Sequence, residues 1–176
     1  MQSSHYAGST PVLSGNRITL RGWQDRDLWP YADLVSDPNV MKFVGEGVMG
    51  KEEARAEFDN MREQWANRQI GVFVIADSIS HEFLGFTGLF ESPLLDELEL
   101  CWSLSANNHG MGYASEAAIL ARDWTFQERK IGPVMSLVHP ENTGSRRLAE
   151  RLGATVERHS EWMGQPRLLY RHILPD

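Results

Sequence analysis

The sequence predicts a mixed α/β domain, with a central sheet of about seven strands flanked by helices. Three features carry that expectation. Gly71-Val-Phe-Val-Ile-Ala76 and Glu82-Phe-Leu-Gly-Phe-Thr-Gly-Leu89 are apolar runs joined by a polar turn around Asp77 to His81, the pattern of an antiparallel hairpin. From Glu97 to Val138, a strand, a loop, a helical stretch and a second strand follow one another as in a parallel crossover. The tail then returns to a helix from about Thr143 to Leu152, closed by Gly153, and to strands near Ala154 to His159 and Leu168 to Ile173.

Length and composition favour a single core. At 176 residues, 41% hydrophobic and 23% charged, the chain is globular in type, and halving it would leave two marginal domains. Residues 1–16, rich in Ser, Gly, Thr and Pro, read as a flexible or loosely packed lead-in, and 17–174 as the domain. The net charge of −7 argues against nucleic acid as partner. No apolar run approaches the roughly 20 residues of a membrane span, and the polar opening lacks a secretory layout, so no membrane association and a cytoplasmic location are expected. Cys101 is the only cysteine, which rules out an intrachain disulfide or a thiolate zinc cage.

The elements follow in order. Arg17-Ile-Thr-Leu-Arg21 alternates as a half-buried strand, and Asp25 is placed to cap a helix through Leu28, Tyr31, Ala32 and Val35. Asp37-Pro38 breaks that helix before a short segment to Val44, and a loop from Gly45 to Gly50 precedes a helix with Ala54, Phe58, Met61 and Trp65 on one stripe. After the hairpin, Glu97-Leu-Glu-Leu-Cys-Trp-Ser-Leu104 alternates: Leu98, Leu100, Trp102 and Leu104 on a packing face, Glu97, Glu99, Cys101 and Ser103 on a face free to meet substrate. Tyr113, Ala117, Leu120, Ala121 and Trp124 recur at helical spacing, and Pro133 to Val138 reads as the next strand.

The chemistry concentrates in two segments. Asn107-Asn-His-Gly-Met-Gly-Tyr-Ala-Ser-Glu116 joins a strand to a helix, and its glycines let backbone amides crowd around an anion at the positive end of the helix dipole. About thirty residues on, His139-Pro-Glu-Asn-Thr-Gly-Ser145 opens a second helix directly after a strand.

Together these segments resemble the GNAT superfamily of N-acetyltransferases, and within it the RimJ/RimL-like ribosomal-protein N-terminal acetyltransferases, over roughly residues 16–174. Glu99, Trp102 and Leu104, then Gly110-Met-Gly-Tyr-Ala-Ser-Glu-Ala117, then Pro140 to Ser145 match that family's motifs in order. The resemblance implies the acyl-CoA N-acyltransferase fold, splayed between the fourth and fifth of the seven expected strands. It implies acetyl-CoA as co-substrate, with its pantetheine against the strand of Trp102 and Leu104; no metal is expected on separate grounds, because His109, His139 and His159 are too scattered for a metal signature. It implies the pyrophosphate on Asn108, His109, Gly110, Met111, Gly112, Tyr113 and Ala114, with Asn142 and Ser145 completing the site. Asn107 stands where the family often has Gln or Arg, His109 where an aromatic is common, and Ala154 where Phe often follows the glycine.

An ammonium acceptor must lose its proton before it can attack a thioester, and a strand-borne carboxylate is a suitable base or relay. Alternation together with the resemblance selects Glu99 as that base, against the reading of a solvated or salt-bridged strand Glu. Ser145, near the helix start, is the hydroxyl expected to serve the leaving thiolate, although Ser and Asn at such positions ordinarily cap helices, a reading that applies to Asn142 as well. Tyr113 is a secondary acid candidate whose position on the apolar stripe favours packing. Trp23, Trp29 and Trp162 are candidates to line the acceptor site. The acceptor is expected to be a primary amine, either a protein N-terminus or a small molecule. The branch also contains homodimers. The alternatives are a non-catalytic acyl-CoA-binding sensor or interaction domain, and a nucleotide-binding domain, which a glycine turn after the fourth strand disfavours.

Overall fold

A computed structural model of the chain describes residues 10–92 and 94–173. Strands β1 (Leu13–Ser14) and β2 (Ile18–Arg21) lead into helices α1 (Leu28–Ser36), α2 (Pro38–Met41) and α3 (Lys51–Arg68). Strands β3 (Val72–Asp77), β4 (Phe83–Glu91) and β5 (Leu98–Leu104) follow, then α4 (Tyr113–Gln127) and β6 (Val134–Val138). Helix α5 (Thr143–Arg151) and the hairpin of β7 (Thr155–Trp162) and β8 (Gln165–His172) complete the fold.

The strands form one eight-stranded sheet in the order β1-β2-β3-β4-β5-β6-β8-β7. The strand beyond the expected seven is Leu13–Ser14, in the stretch read as a loose lead-in. It pairs Leu13 with Leu20 and Ser14 with Thr19, because an uncovered β2 edge offers unpaired backbone groups and Leu13 can pack on the core. Residues 1–9 of that lead-in lie outside the described residues. All neighbouring pairs are antiparallel except β5 and β6, which run parallel as the crossover pattern predicts.

The helical stripe of α3 buries Ala54, Phe58, Met61 and Trp65, the four residues its periodicity selects. Trp23 and Trp65 both donate their indole N–H to the Val72 carbonyl, at 2.7 and 2.8 Å, and Trp23 meets Tyr31 and Phe58 edge-on at 5.3 and 5.5 Å. Trp23 is therefore core, and Trp29 lies exposed beside Arg55, so neither lines the cleft where β5 and β6 part. Asp25 does not cap α1; it opens a 3₁₀ turn, Asp25–Asp27, and pairs with Arg62 at 2.7 Å. Asp27 takes the structural role instead. Its carboxylate accepts both Arg21 Nη1 and Nη2, at 2.7 and 2.8 Å, and the Gln24 N–H, at 2.8 Å. This bidentate pair, almost fully buried, ties the end of β2 to the start of α1.

The core falls into two clusters. The larger runs from β2 to β5 and the α1, α3 and α4 helices and reaches Val134 of β6 and Leu148 of α5, and the smaller consists of Val138, Ala149, Ala154, Leu168 and Tyr170. Trp102 packs partly buried against both. Among the described residues no helix is long and apolar enough to cross a membrane.

Asp27→Ala should destabilise the protein by about 3–5 kcal/mol, because it strands the buried Arg21 guanidinium without its carboxylate. Denaturant unfolding of the two proteins measures this, and a loss under about 1 kcal/mol would contradict the role given to the pair.

Candidate active site

The loop after β5 begins with a 3₁₀ turn, Ala106–Asn108, and reaches α4 through Gly110 and Gly112, with φ of 76° and 83°. These left-handed values suit glycine, and a Cβ on Gly110 would point into open space while one on Gly112 would stand 3.3 Å from Arg17 Nη2. Among the described residues, no backbone acceptor faces the N–H groups of Gly110 to Ser115, whereas Glu116 N–H already bonds to the Gly112 carbonyl at 3.1 Å. Free amides converging at a helix start form an anion cradle.

The side chains expected to complete this cradle do other work. A His109 ring nitrogen lies 2.9 Å from the Leu104 carbonyl, and Asn108 Nδ2 donates to the Leu84 carbonyl at 3.3 Å. Both brace the loop against the sheet. Leu104 puts its side chain in the core, and Tyr113 packs partly buried against it. Arg17, on the strand side, was not anticipated. It donates from Nη1 to the Met111 carbonyl at 2.9 Å, from Nε to Glu116 at 3.1 Å, and lies 4.8 Å from the centre of the Tyr113 ring. Met111 itself is exposed.

The second part of the site is a cleft of about 120 Å³ where β5 and β6 part. Their recorded register is the one pair Glu99 with Met135. Beyond it, side chains replace the ladder. Glu99 Oε1 accepts the Leu137 N–H at 3.2 Å, and Ser136 Oγ donates to the Leu100 carbonyl at 2.6 Å. Ser136 Oγ also accepts from His172 Nε2 at 2.9 Å. Burial, with Arg122 and Arg171 adding to it, lowers the His172 pKa to about 4, so the ring is neutral with its proton on Nε2. Its buried Nδ1 has no partner among the described residues, as expected of the unprotonated nitrogen.

Glu99 is 8% exposed, and burial raises its carboxyl to about 7, against the lowering influence of the Leu137 N–H and the Arg167 charge. Glu99 is thus neither a solvated nor a salt-bridged strand residue. Across the cleft, Ser145 Oγ accepts the Trp102 indole N–H at 3.2 Å, and Asn142 caps α5 by accepting the Ser145 N–H at 3.1 Å. Glu99, Trp102, Asn142 and Ser145 therefore share one cleft, and the 108–114 loop lies outside its lining. Trp162 lines it as well, the one of three candidate tryptophans to do so. Of the β5 face expected to be open, Glu99 and Cys101 line the cleft, and burial with the Glu99 and Glu57 carboxylates pushes the Cys101 thiol up.

Three further parts of the cleft had no signal in the sequence: Ser136, Arg167, and the stacked rings of Phe43 and His139, 5.0 Å apart. Each comes from a different element, so no local spacing connects them.

Comparison with known proteins now bears on this geometry. The acetyltransferase (GNAT) domain family matches residues 17–155, most of the chain and both motif segments. The chain belongs to the GNAT acetyltransferase family. It is similar to an acetyltransferase from Agrobacterium tumefaciens strain C58, at 30% identity over 99% of this chain and 100% of that one, with a TM-score of 0.85. It is also similar to the N-acetyltransferase YnaD of Bacillus subtilis, 26% identical over 82% of this chain and 83% of the relative. RimL, a ribosomal L7/L12 alpha-N-protein acetyltransferase solved with coenzyme A, shares the fold with a TM-score of 0.78 over 93% of this chain and 98% of its own, at 16% identity. This GNAT protein is accordingly an acetyl-CoA-dependent acetyltransferase.

Gly112→Asp should weaken coenzyme A binding at least about tenfold, by placing a carboxylate beside Arg17 where the free amides converge. Calorimetric titration with coenzyme A reads this; wild-type affinity in the variant would remove the loop from the binding site.

Proposed function

We propose that this acetyltransferase acetylates a primary amine, a protein N-terminus or a small molecule, by direct attack of the amine on acetyl-CoA without an acyl-enzyme. The observation that carries the reading is the pairing, in one cleft, of a buried carboxyl raised to about 7 with a hydroxyl whose proton is free. Acetyl-CoA supplies the activated thioester. The diphosphate is assigned to the amides of 108–114, supported by their lack of backbone partners among the described residues.

Glu99 takes the proton from the acceptor ammonium, directly or through a water, since an amine of pKa about 8 to 10 is protonated near neutrality and cannot attack. A carboxyl near 7 is a stronger base than an ordinary one and still ionises at neutral pH. Ser145 hydrogen-bonds the sulfur as charge develops on it: Trp102 already donates to its oxygen, so the hydroxyl proton points elsewhere. Cys101 is no nucleophile in this scheme, because its thiol is held protonated. The shared fold with RimL keeps a protein N-terminus among the acceptors.

The reading is tested by thiol release from acetyl-CoA across a panel of peptides, amino acids, polyamines and antibiotics. Release that depends on an amine supports it; no release with any amine would end it.

The pH dependence follows from Glu99. Its folded carboxyl holds a proton more tightly than the ordinary 4.5, so the contribution of Glu99 to stability falls as pH rises from about 4.5 to about 7 and stays reduced above. Glu99→Gln keeps an acceptor for Leu137 N–H and removes the buried charge. It should lose the limb of the kcat–pH profile centred near 7 along with most activity. It should also gain up to about 3 kcal/mol over wild type at about pH 8, and nothing at about pH 4, in denaturant unfolding. An unchanged rate profile would exclude Glu99 as base.

Ser145→Ala should lower kcat by about tenfold or more with little change in coenzyme A affinity, because its contribution arises as charge builds on sulfur. Steady-state kinetics paired with calorimetry separates the two, and unaltered kcat would exclude the hydroxyl from the reaction.

A further inference from the structure

Beside Glu99 the cleft holds a buried cation that no carboxylate of the described residues neutralises. Arg167, on β8 just past the β7–β8 turn, is 4% exposed and lines the cleft. Its Nη1 donates to the Pro166 carbonyl at 2.9 Å, and its guanidinium lies 5.6 Å from the centre of the Trp162 ring. Several covered arginines are paired, Arg21 with Asp27, Arg122 with Asp123, and Arg171 with Glu97 and Glu157, whereas Arg129 and Arg146 have no ion pair among the described residues but do not line the cleft. Among the described residues Arg167 has no such ion pair. Burial lowers its pKa, and the Glu99 charge opposes that only in part. Glu99 lies near enough for its charge to be felt but makes no hydrogen bond or close ion pair with Arg167, and its Oε1 accepts the Leu137 N–H.

A guanidinium carries five N–H donors in a planar fork, and one carbonyl engages only one of them. Removing that group from water is costly unless an anion meets it. The remaining donors have no hydrogen-bond partner among the described residues and keep some accessible surface, and the cleft that Arg167 lines is walled by Trp162 and by the Phe43–His139 stack, which suit a short apolar body. The net charge of −7 does not oppose this, because charges beyond about 8 Å are screened at physiological salt while a buried fork acts at contact.

We propose that Arg167 binds a carboxylate of the acceptor, so that the favoured substrate is a small amino-acid-like molecule whose amine reaches Glu99. This rests on the acetyl-transfer reading and narrows its acceptor class. A polyamine or a neutral N-terminal peptide would leave the fork unmatched, and a site built for a charged partner rejects analogues that lack it.

The test is made first on binding, apart from turnover. N-acetylated amino acids and the corresponding carboxamides are titrated calorimetrically into the full-length protein. Wild type should bind the carboxylate roughly 10- to 100-fold more tightly than its carboxamide. Arg167→Met should abolish that preference, and Arg167→Lys should retain part of it, since an ammonium keeps the charge and loses the fork. Thermal melting checks that the variants fold; if Arg167→Met does not, the wild-type pair and the Lys variant still decide. Equal affinity for carboxylate and carboxamide, a preference that survives Arg167→Met, or tighter binding of an acetylated polyamine or neutral peptide would each overturn the proposal. In the thiol-release assay, amino acids should likewise exceed their amides in kcat/KM. Absence of release with every amine would defeat the acetyl-transfer reading, while the carboxylate titration would continue to decide the role of Arg167.

Discussion

The structure depends on how β5 and β6 part after pairing at Glu99 and Met135. Two parallel strands that separate expose peptide groups in the middle of a sheet, where an unpaired N–H or C=O carries a penalty comparable to a lost hydrogen bond. Here the Glu99 carboxyl accepts from Leu137, and the Ser136 hydroxyl donates to Leu100. The strands can stay apart because side chains take the place of the ladder. The same substitution draws a carboxyl into a site where burial raises its pKa to about 7. An opening in the sheet and a carboxyl with a raised pKa thus arise from one geometric fact.

The site has two parts with different physics. The 108–114 loop is an affair of backbone: glycine conformations and a helix start leave amides free, while His109, Asn108 and Arg17 hold the loop by its carbonyls and neighbours. The cleft is an affair of buried side chains, with Glu99, Ser145 and Arg167 meeting from β5, α5 and β8. Backbone cradles tolerate changes at side chains, which accounts for Asn107 and His109 departing from the family pattern while the glycines stay in place. Buried side chains have no such tolerance.

The polar groups around the cleft reduce stability locally and are supported elsewhere. His172 is kept neutral with an unpartnered nitrogen, and Arg167 keeps its charge with few contacts. Their support comes from the aromatic packing of Trp23, Tyr31 and Phe58 and from the buried Arg21–Asp27 pair, all in the N-terminal half. A well-packed half beside an opening lined by buried polar groups suits catalysis, since preorganised groups need not move as charge develops.

The sequence by itself determined whatever depends on neighbours along the chain. Period 3.6 selected the buried stripe of α3, alternation and turn residues marked the hairpin and β5, and the glycine spacing marked the turn before α4. Glu99, Trp102, Asn142 and Ser145 were legible because each sits in a motif with its own local pattern. Local reasoning misplaced the helix cap, since Asp25 and Asp27 look alike until Arg21 arrives from β2 to choose between them. It also overlooked the edge strand β1, two residues long and formed only because β2 offers a partner. Only the tertiary structure decided that Ser136, Arg167, Phe43 and His139 face the same space, because convergence across β6, β8 and the loops around them leaves no periodicity in one dimension. Burial, too, is a property of the assembled molecule: the residue type makes Glu99 a carboxyl, and the surrounding chain sets how tightly it holds its proton.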